Sequence, residues 1–264
     1  MIVDFFQVDS FTDKPYSGNP AAVCILNDNP TEEWMKFVAR EMNLSETAFI
    51  VPKSDNSFDL KWFTPLKEVD LCGHATLAAA HILWEKNILK TNENVRFQTR
   101  SGLLTCKKIN NRIEMDFPAE EVKDATAPDE LIEGLKINPL YVGKNRFGYL
   151  VEVESEEIVN NLNPELDLLK KVDMLGVAVT SRSDSEKYDF VSRFFAPAYG
   201  IDEDPVTGSS HCCLAPYWSK KLGKNELDAC QTSKRRGELS LRLVDDRVFI
   251  IGDAITVFEG KILY

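Results

Sequence analysis

The sequence predicts an α+β fold built twice, from two similar halves in which mostly antiparallel strands curl around a central helix. Three observations carry that expectation. Short motifs recur in the same order at an offset of about 131 to 135 residues, the mark of an internal repeat. Several segments alternate apolar and polar residues, as half-buried strands do. One segment is apolar all the way round a helix, which only burial explains.

The repeat comes first. Phe63-Thr64-Pro65 is answered by Phe195-Ala196-Pro197, and the approach from Asp70 to Gly73-His74 by that from Asp204 to Gly208-Ser209. Phe97-Gln98-Thr99 is answered by Cys230-Gln231-Thr232, Gly102 by Gly237, and Asn111-Arg112-Ile113 by Asp246-Arg247-Val248. Any one match is chance; the ordered set is not. The halves meet near Pro118, giving domains of residues 1–117 and 118–264, with the last strand, about 254–264, packing back on the first.

The strands are legible. Ile113, Met115 and Phe117 alternate with Arg112, Glu114 and Asp116, and Leu239, Leu241 and Leu243 with Glu238, Ser240 and Arg242. Thr31 to Met42 reads as an amphipathic helix, capped by Thr31, with Glu32 and Glu33 at its positive end and a stripe of Trp34, Phe37, Val38 and Met42. Gly73 to Lys86 is the buried helix, from Ala75 through Trp84 almost without a polar face. Its second copy starts at Gly208, but Pro216 interrupts the pattern, which predicts a kink there or a later start. Glu120 to Glu133 is acidic and weakly patterned, and reads as an exposed connection.

Composition narrows the function classes. The chain has 264 residues, a 44% hydrophobic share and a net charge of −11. That share supports a packed core and argues against disorder. The acidic balance argues against a nucleic-acid partner. The longest nearly apolar stretch, Ala75 to Trp84, is far short of the roughly 20 residues that span a membrane. Met1-Ile2-Val3-Asp4 lacks the basic start of a secretory signal, and none of the six cysteines sits in a Cys-x-x-Cys pair, so reduced thiols in a cytoplasm are expected. His74, His81 and His211 are not spaced for a structural zinc site, and no metal is expected.

A buried helix still has free N–H groups in its first turn, and with the helix dipole these make an anion site. Gly73 and Gly208 open two such turns, one per half. The same pattern also describes tight strand-to-helix turns without any ligand.

Four motifs give this arrangement a family. Gly18-Asn19-Pro20-Ala21-Ala22-Val23, Ser45-Glu46-Thr47-Ala48-Phe49, Cys72-Gly73-His74-Ala75-Thr76 and Asp204-Pro205-Val206-Thr207-Gly208-Ser209 together resemble the PhzF-like family of phenazine biosynthesis, within the diaminopimelate epimerase-like superfamily. The resemblance runs from about Phe6 to Gly260, and extends to the vertebrate phenazine biosynthesis-like domain-containing proteins. It implies a diaminopimelate epimerase-like fold, an active site between the two domains, a homodimer and no cofactor. By the same resemblance Glu46 is the acid/base, with His74, Asp204 and Ser209 in support. Gly73 and Gly208 supply backbone donors to a substrate carboxylate, and Asn19 binds substrate.

The implied activity is isomerisation by proton transfer on a small carboxylate-bearing substrate. Such a base must take a carbon-bound proton and return it elsewhere, which suits a group titrating near the working pH. An ordinary glutamate ionises at about 4.3, so burial must act on Glu46; read without the resemblance, Glu46 is a solvated loop carboxylate. His74 would donate or relay, and Asp204 would hold a polar substrate group or orient His74.

Other residues read differently. His81 is a satisfied core histidine. His211 follows two serines, yet no Gly-x-Ser-x-Gly elbow surrounds it. Cys212 and Cys213 are small buried hydrophobes, and Arg235-Arg236-Gly237 is a solvated turn. The superfamily's epimerases use two thiols. Cys72 matches one of them, while Pro205 stands at the other position and carries no proton. Racemisation through Cys72, and a binding protein without catalysis, are the alternatives.

Overall fold

The computed structural model describes residues 2–28, 30–53, 55 and 57–263. The chain divides into two compact units, Met1–Asp116 with Ile251–Tyr264, and Phe117–Ile250. In the first unit, strands β1 (Ile2–Ser10) and β2 (Asn19–Ile25), helix α1 (Glu32–Met42), strands β3 (Glu46–Pro52), β4 (Phe58–Phe63) and β5 (Glu68–Val69), helix α2 (Gly73–Glu85) and strands β6 (Val95–Thr99) and β7 (Gly102–Ile109) follow in order. Strand β8 (Arg112–Pro118) leads out of the unit. β1 and β2 are antiparallel, β2 and β3 parallel across α1, β3 and β4 antiparallel, and β4 and β6 parallel across α2. β6, β7 and β8 form an antiparallel meander.

The second unit holds β9 (Lys123–Asp124), α3 (Asp129–Leu135), β10 (Tyr141–Asn145), β11 (Gly148–Glu152), α4 (Glu156–Asn160), α5 (Leu166–Leu169), β12 (Gly176–Arg182) and β13 (Phe190–Ala196). Then come β14 (Ile201–Asp204), α6 (Gly208–Leu222), β15 (Glu226–Gln231) and β16 (Gly237–Val244), with β17 (Arg247–Gly252) leading out. β10 and β11 are antiparallel, β11 and β12 parallel across α4 and α5, and β12 and β13 antiparallel. β13 and β15 are parallel across α6, and β15 and β16 antiparallel. The echo in the sequence is therefore an echo in topology, strand by strand. The last strand, β18 (Ala254–Leu263), pairs antiparallel with β1 in the first unit.

Each helix has a local cause. Thr31 caps α1, its hydroxyl accepting the Trp34 N–H at 3.2 Å. The buried arc of α1 is Trp34, Met35, Val38 and Ala39. Phe37 was expected in it and is instead 55% exposed. At 100° per residue it falls about 60° outside that arc, on the solvent side. Helix α2 is buried along nearly its whole length and packs on β1, β2, β3 and β18. Helix α6 does start at Gly208, with Pro216 inside it. Proline has no N–H for the carbonyl four residues back. That carbonyl, on Cys212, instead accepts the backbone N–H of Glu120 at 2.9 Å.

The segment from Glu120 to Glu133 is more ordered than its composition suggested. It contains β9 and most of α3, and Leu131 is wholly buried. Leu131 and Leu135, one turn apart, join Leu169 of α5 in the core of this unit, which outweighs the acidic surface around them. No helix among the described residues is long and apolar enough to cross a membrane.

Candidate active site

Topology decides where the first turn of α2 falls. The helix returns along β4 to let β6 lie parallel to it, so it runs in the same sense as β3 and β2. Its N-terminus therefore lies beside the first residues of those strands, which are Glu46 on β3 and Asn19 on β2. Gly18 sets the entry to β2. Its φ is +63°, and a Cβ there would stand 2.1 Å from the Ser10 carbonyl oxygen, so only glycine lets the chain turn this tightly.

His74, second residue of α2, is the hub. Its Nε2 lies 3.3 Å from Glu46 Oε2, and its Nδ1 lies 3.1 Å from Asn19 Nδ2. The Ser10 hydroxyl donates to the His74 carbonyl at 2.8 Å. Cys72, the residue before the helix, places Sγ 3.5 Å from Nδ1 and 4.0 Å from Nε2. All four side chains are buried: Asn19 at 0% exposure, His74 at 3%, Cys72 at 7% and Glu46 at 9%.

Burial pushes the His74 imidazole down to about 3, because a buried imidazolium loses its hydration. The ring is neutral across the physiological range, so its contact with Glu46 is a hydrogen bond and not an ion pair. With the Asn19 amide donating to Nδ1, the ring proton sits on Nε2 and is donated to the Glu46 carboxylate. Asn19 thus touches the imidazole and fixes its tautomer.

The second unit uses its helix start differently. Asp204 ends β14 and accepts the Thr207 hydroxyl at 2.5 Å. Gln231 on β15 accepts the Thr207 N–H at 2.9 Å and donates to the Asp204 carbonyl at 2.7 Å and to Thr207 Oγ1 at 3.2 Å. Gly208 is buried, and Ser209, in the place that His74 holds on α2, is half-buried. His211 is fully buried, donates from Nδ1 to the Thr207 carbonyl at 2.7 Å and stacks on Phe190. Burial takes its imidazole down to about 4. Neither Pro205 nor Thr207, the residue directly before this helix, offers a thiol.

Asn19, Glu46 and His74 thus come together in the first unit, whereas Asp204, Gly208 and Ser209 belong to the second. Sequence reasoning passed over Ser10, Thr207 and Gln231 as parts of these arrangements. Gln231 had a signal: a glutamine recurs at the matching place in both copies. His81 is half-buried and bonds Thr256 at 3.1 Å. Cys212 and Cys213 are buried, with the Cys213 thiol pushed up to about 12. Arg236 is exposed and lies over the Tyr188 ring. Among the described residues, one buried group could hold a metal: single ligand atoms of Glu46, Cys72 and His74 all lie within 4.8 Å of one another.

Comparison with known proteins agrees with this architecture. The family of phenazine biosynthesis-like proteins matches residues 8–260. An uncharacterised isomerase of Halalkalibacterium halodurans is 53% identical over 264 residues, covering 100% of this chain and 99% of the relative. Phenazine biosynthesis-like domain-containing protein 2 of Mus musculus is 39% identical, with 99% of each chain covered. The crystal structure of a PhzF-family protein from Enterococcus faecalis superposes with a TM-score of 0.95 at 38% identity, over 100% of both chains. This chain belongs to the phenazine biosynthesis-like family, whose members include proteins named as isomerases.

Proposed function

We propose that this member of the phenazine biosynthesis-like family is an isomerase that moves a proton on a small carboxylate-bearing substrate, with Glu46 as the base and no cofactor. The observation that carries this reading is a nine-tenths buried carboxylate held by a neutral imidazole. Ionised Glu46 takes a proton from a substrate carbon on one carboxylate oxygen and returns it to another carbon. His74 keeps its Nε2 proton throughout and, by donating to Oε2, keeps the carboxylate aimed. Asn19 positions His74, and its role in substrate binding is part of this reading.

Proton removal next to an unsaturated acid builds negative charge on the substrate. First-turn N–H groups at Gly73 and Gly208 are of the kind that stabilise it, through hydrogen bonds and the helix dipole. Asp204 and Ser209 contribute polar contacts to the substrate in this reading. Racemisation by a thiol pair is disfavoured, since the second unit has no thiol to match Cys72.

The decisive test is Glu46→Gln, which keeps shape and removes the base. A panel of small unsaturated and α-substituted acids is incubated in D2O and followed by NMR for rearrangement or new C–D bonds. Turnover of any reactive acid should fall by roughly 10² to 10⁴ in the variant, with unchanged circular dichroism. A fully active Glu46→Gln enzyme ends the assignment. Homodimerisation and a reducing cytoplasmic setting are part of the proposal. The six cysteines, all buried and none in a disulfide, support the second, and sedimentation tests the first.

A further inference from the structure

We propose that β18 is the surface through which two copies of this chain join, its outer edge pairing antiparallel with the same edge of a second copy about a two-fold axis at Gly260. The proposal gives the homodimer read above its interface and rests on that part of the reading, not on the role of Glu46. Among the described residues β18 pairs with β1 on one side, and its neighbours in the fold are β1 and α2. No main-chain hydrogen bond of Ala254–Leu263 reaches a further described segment. None of its ten residues is buried, whereas every other strand of more than two residues has at least one that is. Phe258 is 57% exposed and Leu263 80%. A long open edge that carries an aromatic side chain is a template for a further strand.

The order of residues along the edge selects a second copy as that strand. Directly opposed residues of an antiparallel pair lie on one face of the sheet, so a two-fold axis must fall on a residue and not between two. Phe258-Glu259-Gly260-Lys261-Ile262 is apolar, charged, glycine, charged, apolar. With Gly260 on the axis, Glu259 stands opposite Lys261 of the second copy, and Phe258 opposite its Ile262. No other centre sets acid against base: an axis on Glu259 or on Lys261 opposes that residue to itself. Opposite charges across a strand pair stabilise it, and like charges do the reverse. Within the chain Glu259 bonds Lys86 at 2.7 Å and Lys261 bonds Asp4 at 3.1 Å, but both side chains are exposed and free to share. On the other face Phe258 leans on Phe5, ring centroids 5.9 Å apart. Its ring also lies over Gly260, where a Cβ would stand 3.2 Å away. With no side chain at 260 in either copy, the two Phe258 rings have room to meet across the axis. The register with β1 shifts between Phe258 and Thr256, a bulge that ends regular pairing there. A two-fold pair uses both edges, so assembly stops at two.

Charge reversal on the full-length chain tests this, read by sedimentation over a concentration series, with circular dichroism to confirm folding. Glu259→Lys sets lysine against lysine twice in the pair, and Lys261→Glu sets glutamate against glutamate twice. Each alone should raise the dimer dissociation constant about tenfold. The double variant Glu259→Lys/Lys261→Glu restores opposite charges and should recover most of the loss. Mixed in equal amounts, the two single variants should form a heterodimer, because each supplies the charge the other lacks. Native mass spectrometry with one variant isotope-labelled detects it, and misfolding of either variant would not produce it. A wild-type chain that sediments as a monomer at every concentration ends the homodimer and this interface together. A dimer that neither single variant weakens leaves homodimerisation standing and overturns the interface. Weakening that returns neither in the double variant nor in the mixture overturns the pairing about Gly260.

Discussion

The two halves answer the same topological question with opposite chemistry. In each, a buried helix runs in the sense of a parallel strand pair, and in the first unit its first turn meets the starts of those strands. In the first unit the strands begin with Asn19 and Glu46, and the helix offers His74. In the second they begin with Gly148 and Gly176, and the helix offers Ser209. Side chains there are excluded. A Cβ on Gly148 would stand 1.9 Å from the Gly176 carbonyl oxygen, and one on Gly176 would stand 2.3 Å from the Phe194 ring. The first unit thus carries the titratable group. The second closes that place with glycine and aromatic packing, and builds its polar network one step away, around Asp204, Thr207 and Gln231. One repeated frame thus carries two different sets of polar groups.

The most severe way to break this contrast is to put a side chain where the second unit forbids one. Gly148 has φ +125° and no room. Gly148→Ala should cost at least about 3 kcal/mol or prevent folding, read by urea denaturation. A variant as stable as the parent would mean that the glycine pair is incidental.

Next comes the matched glutamine pair. Gln231 is fully buried and makes three hydrogen bonds to Asp204 and Thr207, whereas Gln98 is exposed. Gln231→Leu strands a buried N–H and should cost about 2–3 kcal/mol. Gln98→Leu should change stability by no more than about 0.5 kcal/mol. Equal effects in the two would erase the asymmetry.

A smaller effect belongs to His211. Its imidazole titrates at about 4 in the folded chain, against an ordinary value of 6.5. Between those values the unfolded chain binds the proton and the folded chain does not, so stability falls as pH falls through that window. One such group contributes a slope of about 1.4 kcal/mol per pH unit, or about 2 kcal/mol between pH 6.5 and pH 5. His211→Gln should flatten the stability profile by that amount, as measured by denaturant midpoints at each pH. An unchanged profile would show that His211 charges in place.

Much of this was legible before any coordinates, for definite reasons. The unbroken apolar run of α2 has no stable home except inside a sheet, and the Thr31 cap and period-two strands are local signals. The ordered repeat carried the topology because both copies kept their turns. What escaped was relational. Nothing near Asn19 says that its amide meets an imidazole 55 residues away. Nothing in the Gln-Thr pair says which copy is turned inward, since burial depends on what the neighbouring loop presents. Phe37 was misjudged because hydrophobicity alone does not fix the width of a helix's buried arc. The segment after Glu120 was misjudged because two leucines one turn apart suffice to anchor a short helix.

Pro216 has one more consequence. By withholding its own amide, it leaves the Cys212 carbonyl to Glu120, so the strand exit after β8 is latched onto the middle of a helix by main-chain atoms alone. Such a latch is blind to side-chain identity at residue 120, proline excepted. It lets that surface drift in charge through evolution while the amide beneath exchanges with solvent only when the latch itself springs open.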